Sequence, residues 1–118
     1  MIEKRKAKRK KEGNLVTIDL VSKDKIDSSN KSSFAISEDI SICGIKILSE
    51  TIFPIDSQLR IQLSLARAKK TVNMTGQVRW IKSLDEKLHE IGIEILDTSM
   101  ENIKILFEYL YKNTNAKY

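Results

Sequence analysis

Six short segments with alternating apolar and polar residues constrain the fold of this chain more than any other feature. The clearest is 59–65, where every second residue is Leu or Ile and the residues between are Arg, Gln and Ser. Such alternation is typical of a β-strand with one face buried and the other in water. The other five segments begin near Leu15, Phe34, Ile45, Val72 and Ile91. Six short strands separated by turn residues favour a closed antiparallel barrel, which leaves no sheet edge exposed.

The periodicity changes to that of a helix after the sixth strand. Thr98-Ser99-Met100-Glu101 is typical of a capping box at the start of a helix. The apolar stripe expected to face the barrel is Met100, Ile103, Phe107 and Leu110, with Leu106 beside it. We therefore predict a mainly β fold, a six-stranded antiparallel, split β-barrel with a C-terminal α-helix over residues 15–112. A flexible basic N-terminal arm of residues 1–14 precedes it, and a tail of residues 113–118 follows.

The net charge of the chain is concentrated in the arm. Residues 1–12 hold seven Lys and Arg residues against two Glu, whereas the rest of the chain carries 14 basic and 14 acidic residues, so the net charge of +5 belongs to the arm. Like charges three and four residues apart repel on a helix, and we expect the arm to be disordered until an anion neutralises it. A localised cationic segment of this kind suits a compact anionic ligand.

Two arginines in the arm and a polar motif after the second strand point to one kind of ligand. Arg5 and Arg9 are four residues apart, and Asp39-x-Ser41-x-x-Gly44 follows thirty positions later. The planar fork of Arg grips a phosphate, or the O6/N7 edge of guanine, with two parallel hydrogen bonds. A carboxylate accepts from the N–H groups on the other edge of guanine. The combination predicts a ligand that carries both phosphate and guanine.

The spacing of the polar motif suggests how it is displayed. Residues two apart on a strand share a face, so Asp39 and Ser41 are expected to project together toward solvent while Ile40 and Ile42 anchor the other face. Gly44 is expected either to turn the backbone with a positive φ or to let a flat base approach closely, since it lacks a Cβ.

These motifs resemble those of the PilZ domain family, small barrels that bind the bacterial second messenger cyclic di-GMP through R-x-x-x-R and D/N-x-S-x-x-G segments. Residues 76–80, Gly-Gln-Val-Arg-Trp, resemble the G-x-V-x-W strand of the family. Residues 92–95, Gly-Ile-Glu-Ile, resemble its closing G-I-x-F strand, and the resemblance extends from Lys4 to about Tyr111.

The resemblance implies a receptor rather than an enzyme. The ligand-binding residues it implies are Arg5, Arg9, Asp39, Ser41 and Gly44. Cyclic di-GMP would be a ligand, with no cofactor, and its binding would order the arm. Because 118 residues leave no room for an effector domain, the signal would pass to a downstream protein partner.

Several residues outside the motifs are given less specific interpretations. Arg79 faces outward on its strand and is a further candidate contact to the ligand. Trp80 continues the apolar face of the same strand and is expected to pack in the core or at its rim. Cys43 is expected to be a small packing residue, and His89 a solvated loop residue. One Cys and one His are too few for a typical zinc site, and no nucleophile has a neighbouring base and orienting group.

The remaining sequence features bear on compartment and on alternative functions. A single Cys permits no internal disulfide, no apolar run approaches the roughly 18 residues of a membrane span, and a soluble cytoplasmic protein is expected. Three alternatives to the receptor remain open. The barrel could be a PilZ-like protein-interaction module without a ligand, or the basic arm could bind nucleic acid nonspecifically or anionic lipid. Nucleic acid is disfavoured because only 6% of the residues are aromatic, too few for a base-stacking platform.

Overall fold

The computed structural model describes residues 13–21, 33–65 and 68–112, and these form a closed antiparallel barrel with a helix at its C-terminal end. The strand order around the barrel is β1-β2-β3-β6-β5-β4. The six strands are β1 Leu15–Leu20, β2 Ser33–Ile40, β3 Gly44–Ser49, β4 Gln58–Leu65, β5 Lys70–Ser83 and β6 His89–Asp97. The predicted fold class, a six-stranded barrel with a C-terminal helix, is confirmed.

The alternation along the strands places one face of each in the core. In β4, Leu59, Ile61 and Leu63 are fully buried, and the residues between them are exposed or half-buried. Burying a side chain of this size contributes roughly 1.5–3 kcal/mol, so the apolar face of β4 strongly favours this register. In β1, Val16 and Ile18 are fully buried, whereas Leu20, two residues further along at the end of the strand, is exposed.

The C-terminal helix α1, Met100–Phe107, begins one residue later than the predicted capping box implies. Ser99 is the N-cap, and its hydroxyl accepts a hydrogen bond from the N–H of Asn102. The hydroxyl of Thr98 instead donates to the carbonyl of Asn73 on β5 (3.0 Å). The chain then continues as a π-helical segment, Glu108–Lys112.

The face that α1 and its π-helical continuation turn toward the barrel differs from the predicted one. Leu106, Tyr109 and Leu110 are buried, whereas Met100 is exposed and Phe107 is 48% exposed. The predicted stripe was therefore wrong for Met100 and Phe107. Met100 and Phe107 are the first and last residues of α1 and precede the π-helical segment, and only Tyr109 and Leu110 follow a turn wider than regular helical spacing assumes.

Candidate functional site

The segment from Asp39 to Gly44 is a tight turn between β2 and β3, and Ser41 holds it closed. The Ser41 N–H donates to the Gly44 carbonyl (2.8 Å), and the Ser41 hydroxyl oxygen accepts from the N–H groups of Cys43 and Gly44 (both 3.2 Å). The Ile95 N–H donates to the Cys43 carbonyl (2.9 Å), which ties the turn to β6. The turn is thus a fixed part of the barrel wall.

Asp39 and Ser41 do not project together into solvent as the sequence spacing predicts. Asp39 is 6% exposed and Ser41 is 2% exposed. The register of β2 on β3 shifts between Ser37 and Asp39, as in a β-bulge, and Asp39 pairs with Lys46. A bulge adds a residue and re-aims the side chains that follow it, which strict alternation does not anticipate. The Ser41 hydroxyl is turned back onto its own turn, so Ser41 acts through the shape of the backbone.

Gly44 needs to be glycine because of a neighbouring strand and not because of its own φ. No glycine of the chain has a positive φ, so the expected left-handed turn was wrong. A Cβ on Gly44 would lie 2.9 Å from the carbonyl oxygen of Ile93 on β6. Substitution at this position would push β3 and β6 apart, and the absence of a side chain also leaves the outer surface open.

A carboxyl pair lies beside this turn. Glu38, the extra residue of the bulge, lies within hydrogen-bonding reach of Glu90 on β6, and Lys46 Nζ lies 3.8 Å from Glu90 Oε2. The hydrogen bond to Glu90, followed by burial and the charge of Glu90, raises the pKa of Glu38 above the usual value for a carboxyl group. The positive charge of Lys46 lowers the pKa of Glu38 but only partly offsets these effects, so the net shift is upward.

We expect Glu38→Gln to stabilise the protein at pH 7. Because the folded-state pKa of Glu38 is raised, its ionisation costs stability as the pH rises from the usual carboxyl range through the raised value. The gain should be at most about 1 kcal/mol at pH 7, because β3 lies between the two strands that carry the carboxyl groups, and it should vanish near pH 3. Denaturant unfolding at both pH values measures it, with the exposed Glu50→Gln as control. A loss of stability at pH 7 would contradict the repulsive pair.

Arg79 is held in an ion pair on the outer face. Its Nε and Nη2 lie 2.7 and 2.6 Å from Oε1 of Glu94, and its Nη1 lies 3.6 Å from Oδ1 of Asp56. Glu94 is the register partner of Gly44. Arg79 therefore stands two strands from the Asp39–Gly44 turn, next to the surface that Gly44 leaves open.

Trp80 lies on the outside of the barrel, contrary to the prediction that it packs in the core or at its rim. Val78 pairs with Ile93 but Trp80 pairs with Gly92, so Arg79 is an extra residue that turns Trp80 outward. The indole is 42% exposed and lies over Gly92, where a methyl group would overlap the ring. Trp80 thus presents an aromatic face on the outside of the barrel. It lies in one register row across the sheet with Asp39, Lys46 and Gly92.

Two further interpretations from the sequence were also wrong. His89 is the first residue of β6 and is buried, with its Nδ1 2.9 Å from the hydroxyl of Ser83, so it is not a solvated loop residue. Cys43 is exposed, so it is not a packing residue. Its backbone carbonyl, which accepts from the Ile95 N–H, is what connects it to the barrel.

The first described residues, Gly13 and Asn14, lie against β2 close to the Asp39–Gly44 turn. Arg5 and Arg9 lie outside the described residues. Asn14 is anchored to β2 by its N–H, which donates to the Ser37 hydroxyl (2.9 Å), and by its carbonyl, which accepts from the Ser37 N–H (2.8 Å). Its side-chain amide donates to the Tyr109 hydroxyl (3.0 Å). The root of the arm is thus fixed two residues from Asp39, a relation that no local sequence pattern indicated.

The part of the chain that the structure covers shows neither a grouping of metal-ligating residues nor a membrane-spanning helix. Within residues 13–21, 33–65 and 68–112, no cluster of three or more His, Cys, Asp or Glu residues is arranged to hold a metal ion. Among the helices described there, none has the length and hydropathy required to cross a bilayer.

The chain is similar to one protein family by sequence and to members of that family by fold. The PilZ domain family model matches residues 3–112. No curated protein matches by sequence. Among solved structures, the inhibitor of motility of Bacillus subtilis (MotI/DgrA) has a TM-score of 0.78 at 17% identity, with 98% of this chain and 54% of that chain covered.

Two similar solved structures contain the same nucleotide. The PilZ domain of YcgR from Escherichia coli with c-di-GMP has a TM-score of 0.69 at 14% identity, over 98% of this chain and 95% of that chain. The MrkH–c-di-GMP complex of K. pneumonia has a TM-score of 0.68 at 15% identity, over 98% of this chain and 56% of that chain. This chain thus spans about half the length of MotI and MrkH and nearly all of the YcgR domain.

Proposed function

The chain belongs to the PilZ domain family, and on that premise we propose that it is a cyclic di-GMP receptor that binds the nucleotide on the outer wall of the barrel and signals to a partner protein. The observation that carries the proposal is the extent of the family match. Residues 3–112 include both Arg5-x-x-x-Arg9 and the Asp39–Gly44 turn. We place this function in the bacterial cytoplasm.

Each proposed contact has a chemical reason. Arg5 and Arg9 contact phosphate oxygens or the O6/N7 edge of guanine, and Asp39 accepts from the guanine N–H groups. Gly44 leaves room for the base. Ser41 contributes by holding the turn that positions Asp39 and Gly44, which its hydrogen bonds to Cys43 and Gly44 support.

The anchored start of the barrel supports the convergence of the arm and the turn. Asn14 is hydrogen-bonded to Ser37, two residues before Asp39. Arg9 is five residues before Asn14, and a fully extended chain spans at most about 17 Å over five residues. The arm is therefore long enough for Arg9, and for Arg5 beyond it, to meet a nucleotide bound at the turn.

The proposed signal is a change in the arm. A ligand shifts a conformational equilibrium only by its preference for one of the states, and a nucleotide held by both the arm and the barrel prefers the ordered arm. Four or five charge-assisted hydrogen bonds contribute on the order of 10 kcal/mol in total, and ordering a segment costs roughly 2–5 kcal/mol. The difference, about 5–8 kcal/mol, corresponds to a dissociation constant of about 1–200 μM, or lower with stacking.

Calorimetric titration with cyclic di-GMP tests the proposal against its alternatives. The receptor predicts saturable binding that persists at physiological salt. A purely electrostatic arm would bind any polyanion, with log affinity falling by about 0.9 per phosphate for each tenfold increase in salt. Binding only to anionic vesicles would favour the lipid alternative. No detectable binding at high micromolar ligand would leave a PilZ-like protein-interaction module, and would contradict the proposal.

We expect Trp80 to report the ligand, because it is the only tryptophan of the chain and its exposed indole lies in the same row as Asp39 and Lys46. Stacking of a guanine on the indole should quench its fluorescence, and Trp80→Ala should weaken binding by about 1–3 kcal/mol. Fluorescence titration of the wild-type chain measures the quenching, and calorimetry measures the affinity of the variants, with Trp80→Phe as the control that retains an aromatic face. Unchanged emission at a ligand concentration that saturates the calorimetric signal would exclude contact with Trp80.

A further inference from the structure

The Arg79–Glu94 ion pair combines close contacts with an exposed position. Two guanidinium nitrogens of Arg79 approach the same carboxylate oxygen of Glu94, at 2.7 and 2.6 Å, and Asp56 lies 3.6 Å from a third. Both side chains are about half exposed, at 49% and 45%. An ion pair this exposed contributes little to folding stability, so the fold does not depend on it and the pair can have a role in binding.

The pair occupies the surface where an anionic nucleotide would meet the turn. Glu94 is directly opposite Gly44 in the β3–β6 register and opposite Gln77 in the β5–β6 register. Gly44 has no side chain to separate a ligand from Glu94. A nucleotide lying over Gly44 would therefore bring its phosphates or bases next to a carboxylate that already engages the adjacent arginine.

Resting on the proposed function, we infer that Glu94 limits the affinity for cyclic di-GMP by holding Arg79 away from the ligand and by repelling its phosphates. Arg79 has the planar fork that suits phosphate or the O6/N7 edge of guanine, but two of its three nitrogens are engaged by Glu94. Binding must break this pair or proceed without Arg79. Glu94 is thus an affinity-determining residue, and Arg79 is a contact that becomes available when the carboxylate is neutralised.

Glu94→Gln tests the inference by calorimetry with cyclic di-GMP at physiological salt. The substitution keeps the size of the side chain and removes its charge, and we expect affinity to rise about three- to tenfold. Asp56→Asn, which removes the more distant carboxylate, should give a smaller gain of less than about twofold. Glu86→Gln makes the same charge change in the 84–88 loop that follows β5, at a residue with an exposed side chain, and is expected to leave affinity unchanged.

A double-mutant cycle separates release of Arg79 from simple loss of repulsion. If Arg79 contacts the ligand only when it is free of Glu94, Arg79→Ala should cost at least threefold more affinity in the Glu94→Gln background than in the wild-type chain. Equal costs in the two backgrounds would show that neutralising Glu94 does not make Arg79 available to the ligand. They would leave only a charge effect, which would contradict the inference as stated.

The remaining outcomes are equally distinct. Weaker binding by Glu94→Gln would mean that the carboxylate itself accepts hydrogen bonds from guanine, and unchanged binding would mean that the pair lies outside the site. Either result overturns this inference while leaving the proposed function intact. Failure of both the wild-type chain and Glu94→Gln to bind would overturn both, and binding by Glu94→Gln alone would support the inference.

Discussion

Asp39→Ala is expected to weaken cyclic di-GMP binding by about 10- to 100-fold. Hydrogen bonds to a charged group contribute roughly 1.5–3 kcal/mol each, and the substitution removes the only carboxylate of the turn proposed to accept from guanine. Asp39 is the register partner of Lys46 on β3, and its side chain is buried. The pairing of β2 with β3 therefore fixes the place of the carboxylate. Calorimetry measures the change, and the midpoint of thermal unfolding checks that the variant is folded.

The matched control is Asp97→Ala, which removes an exposed carboxylate at the end of β6. It should alter the affinity by less than about twofold. A similar loss in both variants would attribute the effect to net charge and would remove Asp39 from the site.

Arg5→Ala and Arg9→Ala should each cause a loss of the same order as Asp39→Ala, because each removes a charge-assisted contact of about 1.5–3 kcal/mol. Lys8→Ala removes a neighbouring charge of the arm and should cost no more than about threefold, through long-range electrostatics alone. Equal losses at positions 5, 8 and 9 would favour a nonspecific polybasic arm over a site with two defined arginines.

Leu106→Ala is expected to destabilise the fold by about 2–5 kcal/mol, the usual cost of a large-to-small change in a well-packed core. Leu106 is buried between α1 and the barrel. Its neighbour Phe107 is a matched control, since it is 48% exposed and its ring contacts only Tyr111 among the described aromatic side chains, at a centroid distance of 4.3 Å. Phe107→Ala should cost no more than about 1.5 kcal/mol.

Denaturant unfolding of the two alanine variants decides which face of α1 meets the barrel. A larger loss for Leu106→Ala supports the face seen in the structure. A larger loss for Phe107→Ala would support the regular stripe that the sequence predicts, and would require the helix to be rotated on the barrel.

The sequence was a reliable guide to the strands because their side chains obey one simple rule. In β4 the Leu and Ile residues at alternate positions could be assigned to the core without knowledge of any neighbour, and they are buried. The same rule failed where an extra residue interrupts the pairing. The bulges near Glu38 and Arg79 depend on the partner strands β3 and β6, and they set the positions of Asp39 and Trp80. The alternation along one strand does not show where its pairing with the neighbouring strand shifts.

For the candidate site, too, the sequence indicated the residue types but not the contacts between them. The residue types of the turn and their spacing suggested a guanine-binding chemistry, but the role of the Ser41 hydroxyl within the turn required the hydrogen-bond geometry. The engagement of Arg79 by Glu94 joins residues 15 apart on adjacent strands, and the contact of Asn14 with Tyr109 joins residues 95 apart. Such relations arise only when the chain is folded.

The central claim is that the basic arm and the Asp39–Gly44 turn bind the same nucleotide. Backbone amide NMR of the isotope-labelled chain, titrated with cyclic di-GMP, tests it most directly. We predict that the resonances of Arg5 and Arg9 and those of residues 39–44 shift together and fit a single dissociation constant. Arm resonances that stay unmoved while the turn saturates, or a turn that stays unmoved while the arm responds, would contradict the claim.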